Sequence, residues 1–536
     1  MNNGKEESVD ELMICYKFPP SQRVSGVVYA RRLIKSEKIV DTIQGPNFNE
    51  ELDEDFNKVV DKFTNKRYQT KSYKVSPTWA SIEKFNEEGM EILEKEKVYK
   101  KIYSRVGSHE SHFLALEYKL KHHETFWSAE FSDPLSITID NKKRGNPKDN
   151  IFVKNREYID RINDEIKNYA KNYDRYFNDD GNKEDEGGIG QTALKDLDLR
   201  MIDEEFTIFQ LCEYLPFLFA DEIVFTNENQ KELMLDFYPE TKELVKSKSR
   251  VSHHPTLDEE YYHIVESDYE VDENYINFGY FGTYLGKRHL ENVYYAFQYL
   301  NPQFKGKYKI HIFAQNRETL KRIISDLDFA DSFIINDKAP LLEFLNLTTK
   351  FDVLIVNDLK TYGNFEKNPF LPSKLADYLG SGRDIWAIYE KGSIMSHYDL
   401  KYKSDVSDYE SSLNTLKDIF KDKIDLDKED IDIGSINGNV EDYLENRVYQ
   451  LNSVIESLNS QKGVLNKKLR KEKEEVSKLK KKNNELKRKD DEISKLRKEN
   501  EKLKKEMKKV KSTKGWAKYK AKNIKSRAKK KSNDNN

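Results

Sequence analysis

Apolar and polar positions alternate in blocks along most of the chain. In the first half, apolar runs at 12–18, 101–105, 125–131 and 220–227 predict buried strands, because each run is short and bounded by turn-forming or charged residues. Amphipathic stretches with helical spacing follow these runs. Buried strands that alternate with helices are typical of parallel sheets covered on both faces.

A second series of the same kind follows. Its predicted strands are the apolar runs at 275–282, 307–315, 332–336, 351–358 and 384–390. Two such series predict the α/β fold class, with two Rossmann-like domains facing a cleft. The stretch VSHHPTLDEEYY, at 251–262, has no clear period and is interpreted as the interdomain linker. We therefore expect an N-terminal Rossmann-like domain with insertions at 1–255 and a C-terminal one at 256–440.

The pattern changes from about Leu451. Seam positions then follow a spacing of three and four residues: Leu465, Leu469, Glu472, Val476, Leu479, Asn483 and Leu486. After a phase slip near Asp490 the spacing resumes: Asn500, Leu503, Met507 and Val510. This pattern predicts a long α-helical coiled coil at 441–510, and therefore a homo-oligomer. The seam asparagines would set the register, while the number and orientation of the helices stay open.

Charge is divided unevenly along the 536 residues. The formal net charge is −3, but the chain from Gln461 onward has 31 Lys/Arg and 11 Asp/Glu, so this part has a charge of +20 and the rest −23. The basic tail, at 511–536, interleaves lysines with Trp516, Tyr519 and Ile524. Three interpretations remain: an anionic membrane surface bound through 508–531, a nucleic acid or polyanionic acceptor, or a solvated helix end. We favour the first and consider nucleic acid the weaker reading.

Composition excludes several classes of site. Cys15 and Cys212 are the two cysteines, which provide neither a disulfide framework nor a metal-binding cluster, so no metal site is expected. The polar, acidic N-terminus does not resemble a secretory signal, and no apolar run reaches the roughly 18–20 residues of a membrane span. These features predict a cytoplasmic protein, at most peripheral at the inner face of the cell membrane.

The stretch NPFLPSKLADYLGSGRDIWAI, at 368–388, contains the first candidate phosphate-binding motif. Pro372 presets the backbone for a first helical turn, and Ser373 and Lys374 open that helix. Free backbone N–H groups and the helix dipole favour a diphosphate there, and Lys374 adds a positive charge. Asp377 lies one turn further on the same face and could accept hydrogen bonds from sugar hydroxyls. A plain helix between two buried strands explains the stretch equally well.

A second candidate motif is GYFGTYLGKRHLENV, at 279–293. A strand leads into a glycine-containing loop and then into a helix, with Lys287 and Arg288 at its start. Glycines allow close backbone approach, and two cations suit a diphosphate. The glycines do not have the G-x-G-x-x-G spacing, so a simple turn with a solvated basic pair is the alternative. Both motifs are predicted at carboxyl ends of strands in one sheet, where ligands bind.

These motifs, with FDVLIVND at 351–358 between them, resemble the C-terminal domain of GT-B-fold glycosyltransferases of the family-4 type, bacterial surface-polysaccharide group. The resemblance covers roughly residues 10–440. It implies a retaining, hexosyltransferase-like enzyme that uses a nucleotide-sugar donor without cofactor or metal. It implies a cell-surface glycan, teichoic-acid-like or lipid-linked acceptor. The N-terminal domain would bind this acceptor and the C-terminal domain the donor.

By position, the resemblance assigns the donor diphosphate to Arg288, with Lys287 assisting, and to the amides around Pro372–Lys374. Asp377 stands at the second glutamate of the family's E-x7-E motif, which binds ribose hydroxyls, whereas Pro369 replaces the first glutamate. The full donor-binding set implied is Ser25, Gly26, Gly282, Thr283, Lys287, Arg288, Asn336, Pro372, Ser373, Lys374 and Asp377. Ser25 and Gly26 match the flexible loop after the first strand, and Asn336 would lie near the nucleobase.

Two further residues are candidate catalytic groups by resemblance. Asp133, in SAEFSDP, matches a strand that ends in an aspartate and could orient the acceptor hydroxyl or the sugar; a turn cap before Pro134 is its plain alternative. His112 could contact the donor sugar or phosphate, although a histidine at a helix start is more often structural. His253 and His254 are interpreted as hinge residues.

Three other functions stay open. A non-catalytic, degenerate GT-B scaffold with an oligomerising coiled coil is the main alternative, and Pro369 favours it. A nucleic-acid-binding protein rests on the tail alone. A GT-B-fold sugar-nucleotide epimerase would give the coiled coil and basic tail no role. The sequence identifies neither the donor sugar and base nor the acceptor and linkage.

Overall fold

A computed structural model of the chain describes residues 9–48, 50–147, 149, 151, 155–171, 199–282, 290–315, 317–424, 440–511 and 513–533. These residues divide into two compact units, Met1–Asn446 and Arg447–Asn536. The first unit contains two parallel β-sheets, and the second consists of helix. The sequence-based domain boundaries at 255 and 440 stay predictions.

The first sheet has the strand order β3-β2-β1-β4-β5-β6-β7, and every neighbouring pair is parallel. Its strands are β1 Glu11–Ile14, β2 Val40–Gln44, β3 Thr64–Gln69, β4 Lys101–Val106, β5 Phe126–Phe131, β6 Glu222–Phe225 and β7 Ser249–Val251. In register, Ile14 of β1 lies between Ile43 of β2 and Ser104 of β4. The apolar run at 12–18 is buried throughout, but its strand ends at Ile14, ahead of the turn at Pro19–Pro20.

The second sheet repeats the plan, with the order β10-β9-β8-β11-β12-β13 and parallel pairing throughout. Its strands are β8 Ile276–Phe281, β9 Tyr308–Phe313, β10 Phe333–Asn336, β11 Val353–Asn357, β12 Asp384–Tyr389 and β13 Tyr402–Asp405. In each sheet the strand order reverses beside the strand that comes first in the sequence, β1 or β8. Doubly wound nucleotide-binding folds have the same reversal. The prediction of two Rossmann-like domains is confirmed.

Helices connect the strands. In the first unit they are α1 Val24–Ser36, α2 Glu54–Asp61, α3 Trp79–Leu93, α4 Glu110–Lys121, α5 Arg156–Lys171, α6 Ile208–Phe219, α7 Glu228–Phe237, α8 Lys242–Ser247, α9 Glu291–Gln298, α10 Arg317–Ile324, α11 Leu341–Thr348, α12 Lys374–Gly380 and α13 Tyr409–Lys423. Short 3-10 turns include Glu259–Tyr262, within the predicted linker. Side-chain caps start several helices; for example, Thr78 and Ser81 form a capping box at α3.

Each Rossmann-like domain has a buried tryptophan whose polar group is satisfied by the neighbouring strand. Trp127 donates its indole N–H to Ser104 Oγ over 2.7 Å, and Trp386 donates to Ser404 Oγ over 2.9 Å. Both rings are fully buried. Each ring therefore adds its apolar area to the core of its domain without leaving a buried N–H donor unpaired.

A third apolar cluster joins the two domains. It contains Leu33 of α1 and Phe56 of α2 together with Leu345 of α11 and Leu375 of α12. Asp53 fixes the same junction: its Oδ1 accepts from the Phe56 amide at the start of α2, and its Oδ2 accepts from the Leu341 amide at the start of α11 over 3.0 Å. The carboxylate therefore caps one helix in each domain, which holds these two helix starts together.

The last two helices are α14 Val440–Lys511 and α15 Thr513–Asn533. The prediction of a long helix at 441–510 is confirmed, whereas its pairing into a coiled coil stays a prediction. The described seam residues of α14 are exposed; Leu479, for example, is 65% exposed. Across the described residues, no helix combines the length and apolar character that crossing a bilayer requires.

Candidate functional site at the cleft between the Rossmann-like domains

A cavity of ≈ 480 Å³ lies between the two Rossmann-like domains. From the N-terminal domain its wall includes Ser21, Gln22, Arg23, Val24, Val27, Val28, Arg31, Glu50, Glu51, Asp53 and Phe56. From the C-terminal domain it includes Phe281, Gly282, Phe313, Gln315, Lys338, Ala339, Leu341, Phe344, Ser373, Lys374 and Asp377. The cavity thus lies beyond the carboxyl ends of β1 and β8, where the winding of each sheet reverses and doubly wound folds bind ligands.

The C-terminal wall brings Gly282 of one candidate phosphate motif close to Lys374 of the other. A Cβ placed on Gly282, which follows β8, would lie 3.5 Å from Lys374 Cε at the start of α12. The Lys374 ammonium lies over the Phe344 ring, 4.3 Å from its centroid. Pro372 accepts a hydrogen bond from the Leu375 amide over 3.1 Å and so begins the α12 turn. Gly282, Ser373 and Lys374 therefore share one wall, although their diphosphate role stays a prediction.

Several of the implied donor-binding residues are either not described or not part of the cavity wall. Thr283, Lys287 and Arg288 lie outside the described residues. Asn336 ends β10 and donates its side-chain amide to Tyr269 Oη over 3.2 Å, and it is not part of the cavity wall. Lys338 and Ala339, just beyond it, do line the cavity.

Ser25 and Gly26 lie in the first turn of α1 and not in a loop. Neither is part of the cavity wall, whereas their neighbours Val24 and Val27 are. A Cβ on Gly26 would lie 2.6 Å from the Lys17 carbonyl oxygen, so glycine is needed here for close backbone packing. The structural reason for Gly26 is therefore the fit of α1 against the segment that follows β1.

Asp377 forms an ion pair across the cavity with Arg31 of α1. The distances are 2.8 Å from Oδ1 to Nη1 and 3.2 Å from Oδ2 to Nη2, and both side chains are about 95% buried. Burial raises the pKa of Asp377, against the opposing effects of Arg31 and Lys374. Tyr262 also donates its hydroxyl to the Asp377 carbonyl over 2.6 Å. The ribose-binding role predicted for this carboxylate is untested, and in this state its oxygens already have a cationic partner.

Arg31 was missed by sequence reasoning. It lines the cavity, and its Nε has no hydrogen-bond partner among the described residues. A buried guanidinium in a cavity wall is suited to an anionic ligand. The only signal in the sequence is the Arg31–Arg32 doublet within the helix after the first strand.

The second arginine of the doublet takes part in a separate buried cluster. Arg32 pairs with Glu130 of β5 at 2.5 Å, and Arg105 of β4 pairs with the same carboxylate at 2.9 Å. Tyr103 donates its hydroxyl to Glu130 as well. Burial opposes the charged form, but Arg32 and Arg105 outweigh it and lower the pKa of Glu130. Arg32 also donates to Ser252 in the linker, so the cluster ties α1 to the linker.

The two candidate catalytic residues lie away from the cavity wall. Asp133 is exposed just after β5. His112 is fully buried in α4, where its Nδ1 lies 2.8 Å from Ser104 Oγ and its ring packs against Phe131. Because Ser104 Oγ accepts from Trp127, its own proton is available to His112 Nδ1. Burial, with His109 and Arg105 nearby, holds the pKa of His112 well below its usual range, which suits a neutral core histidine.

Pro369, at the position of the missing glutamate, is buried against the N-terminal domain. Its carbonyl accepts from the Asn227 side chain over 2.9 Å, and the neighbouring Asn368 carbonyl accepts from Asn229 over 3.0 Å. Glu366 is exposed nearby. The segment therefore serves domain packing in this chain. Across the described ranges, no group of three or more His, Cys, Asp or Glu side chains is arranged to hold a metal ion.

Comparison with solved structures gives likenesses at low sequence identity. No protein-family model and no curated protein matches the chain. Similar solved structures include a glycosyltransferase from Rickettsia africae ESF-5, at 11% identity and TM-score 0.44, covering 77% of this chain and 89% of the other. A sucrose-phosphate synthase from Thermosynechococcus elongatus has 11% identity and TM-score 0.45, with coverage of 77% and 90%.

A UDP-GlcNAc 2-epimerase from Neisseria meningitidis, with UDP-GlcNAc bound, has 9% identity and TM-score 0.41, with coverage of 77% and 91%. Proteins of different activities thus appear among these likenesses. The chain's own strand orders define its class: a two-domain, doubly wound α/β protein with an interdomain cavity and a helical C-terminal unit.

Proposed function

We propose that this protein is a glycosyltransferase that moves a sugar from a nucleotide-sugar donor to a cell-surface glycan, teichoic-acid-like or lipid-linked acceptor. The observation that carries the proposal is the cavity between the domains. Its wall combines Gly282, Ser373 and Lys374 with Arg31. Cations, a glycine and a helix start around one cavity suit a diphosphate linked to a sugar.

The proposed chemistry is transfer with retention and without a metal. As the bond between the anomeric carbon and the diphosphate breaks, the acceptor oxygen forms its bond on the same face, and a phosphate oxygen of the leaving group takes the acceptor's proton. The protein then needs to position the two substrates and stabilise charge on the diphosphate. Lys374 and Arg31 are two cations of the cavity wall that would do so, together with Lys287 and Arg288 of the predicted motif. This proposal needs neither a protein nucleophile nor His112.

Calorimetry with UDP, GDP and their sugars tests the donor site directly. We expect one of the two nucleotide families to bind, and Lys374→Ala to weaken binding about tenfold because a charge-assisted contact to phosphate is lost. Lys391→Ala is the matched control, since Lys391 is exposed and outside the cavity wall. If neither nucleotide family binds the wild-type chain, the proposal fails.

A non-catalytic scaffold is the second candidate, and Pro369 favours it. This position serves domain packing in place of the glutamate that the resemblance leads one to expect. Turnover separates the two candidates: slow hydrolysis of the bound nucleotide-sugar, followed by release of free sugar, supports the enzyme. Binding without any sugar release, even with glycolipid or teichoic-acid acceptors present, supports the scaffold.

The basic helix α15 fits a membrane-linked acceptor. It has nine Lys/Arg and no acid between 513 and 533, and Trp516, Tyr519 and Ile524 are each more than half exposed. Basic residues interleaved with exposed aromatics favour an anionic lipid surface. The proposed setting is therefore the cytoplasmic face of the cell membrane, where a lipid-linked acceptor would be within reach.

A further inference from the structure

Helix α14 exposes a row of apolar side chains in its last third. Ile493, Leu496, Leu503 and Met507 are 46%, 58%, 56% and 58% exposed. With Asn500 they stand at 493, 496, 500, 503 and 507, the alternating spacing of a coiled-coil seam. Ile493, Asn500 and Met507 then occupy a positions of the heptad, and Leu496 and Leu503 occupy d positions. We propose that the segment 492–511, called the zipper segment below, pairs with the same segment of a second copy of this chain, parallel and in register.

The charges beside this seam select the parallel arrangement. All three g positions are glutamates: Glu492, Glu499 and Glu506. All three e positions are basic: Arg497, Lys504 and Lys511. In a parallel, in-register pair, each g residue faces the e residue five positions later on the partner helix, so every contact joins opposite charges. An antiparallel pair would place glutamates opposite glutamates and cations opposite cations.

The seam residues favour two strands. Isoleucine at an a position with leucine at d positions is typical of dimers, and an asparagine at a single a position fixes register and oligomer state at a cost in stability. Asn500 meets its own copy only when the helices run parallel and in register. In any other register it would lie against an apolar or charged side chain, leaving its amide unpaired.

The part of α14 before the zipper segment does not have the same charge pattern beside its seam. There the predicted g-to-e contacts are Lys468 with Lys473, Glu475 with Lys480, and Lys482 with Lys487. Two of these three contacts join like charges, and Glu472 occupies a seam position. The phase slip near Asp490 separates this part from the zipper segment. We therefore infer that the zipper segment alone selects the partner helix and its orientation.

Sedimentation equilibrium on the full chain tests the proposal by charge reversal. We expect the wild type to sediment at twice the chain mass. Glu499→Lys turns both symmetry-related g-to-e contacts into repulsion, which should raise the dimer dissociation constant about tenfold. Adding Lys504→Glu restores opposite charges and should restore the wild-type constant. Glu501→Lys is the matched control: it makes the same change in charge at an exposed b position and should leave the constant unchanged.

Oxidative cross-linking tests the orientation. Asn500→Cys places two thiols against each other in a parallel, in-register pair, so mild oxidation should give a covalent dimer on a non-reducing gel. Cys15 and Cys212 are buried and should not contribute. Glu501→Cys, on the outer side of the helix, should cross-link far less. A wild type that is monomeric or larger than a dimer, a Glu499→Lys/Lys504→Glu chain that does not recover, or an Asn500→Cys chain that does not cross-link each overturns the proposal.

Discussion

Arg31 and Arg32 are neighbours on helix α1, yet their two carboxylate partners have opposite pKa shifts. Arg32 joins Arg105 and Tyr103 around Glu130, and this surplus of positive charge lowers the pKa of Glu130. Arg31 pairs with Asp377 across the cavity, and there burial wins and the pKa of Asp377 is raised. The first carboxylate is fully compensated within one domain and its linker. The second lies at the wall of the cavity, where burial outweighs the effects of Arg31 and Lys374.

This difference distinguishes a carboxylate enclosed by one domain and its linker from a carboxylate at the cavity. A carboxylate saturated by two guanidiniums and a hydroxyl has no capacity left for a ligand, so Glu130 acts as a structural anchor for α1. Asp377 lies at the cavity wall with Arg31, and burial raises the pKa of its carboxyl against the effects of Arg31 and Lys374. A ligand that brings both hydroxyl donors for Asp377 and an anion for Arg31 would complete both groups. A nucleoside diphosphate has this combination of groups.

The largest expected effect comes from breaking the saturated cluster. Glu130→Gln keeps the shape of the side chain but leaves Arg32 and Arg105 buried without a counter-charge, so we expect the free energy of unfolding to fall by about 3–5 kcal/mol. Urea unfolding followed by circular dichroism measures it. Asp258→Asn is the control, because it removes an exposed partner of α1, where Asp258 pairs with Lys35. Its loss should stay below about 1 kcal/mol. Equal losses in the two variants would contradict the assignment of Glu130 as an anchor.

The sequence predicted strands that contain consecutive apolar or aromatic residues. The runs at 101–105 and 351–358, for example, coincide with β4 and β11. It missed β3, Thr64–Gln69, because this edge strand is polar and half exposed, and therefore has no hydrophobic signature. It missed β2, Val40–Gln44, for a related reason: Asp41 and Gln44 are buried polar residues within the strand.

Only part of the cavity wall could be predicted from the sequence. Gly282, Ser373 and Lys374 could be found because glycines and cations next to strand ends are a local pattern. Arg31 could not, because its partner Asp377 is 346 positions away and belongs to the other domain. Which of two adjacent arginines faces a cavity depends on how α1 packs between the domains. Only the folded chain contains that information.

A smaller effect on stability is expected from the pair across the cavity. Asp377→Asn leaves Arg31 buried without its carboxylate, but it also removes a charge that burial disfavours, so the free energy of unfolding should fall by only about 2 kcal/mol. In the proposed donor site, nucleotide affinity should fall as well. Asp384→Asn is the control, since Asp384 pairs with Lys423 at the start of β12, outside the cavity wall. A loss as large as that of Glu130→Gln would remove the distinction between the two carboxylates.

The smallest expected effect is on the pH dependence of stability, and its sign differs between the two carboxylates. The folded-state pKa of Glu130 is lowered, so its stabilisation is present above the unfolded-state pKa of 4.5 and is lost as the pH falls through the folded value. The folded-state pKa of Asp377 is raised, so the folded chain binds the proton first and gains stability as the pH falls towards 3.8. Glu130→Gln should therefore make the acid loss of stability shallower, and Asp377→Asn should make it steeper.

Each change in slope is limited to about 1.4 kcal/mol per pH unit, the value for one proton. Urea midpoints between about pH 3 and 6 would measure the slopes, and slopes that change in the same direction in both variants would show that the two carboxylates do not differ in compensation.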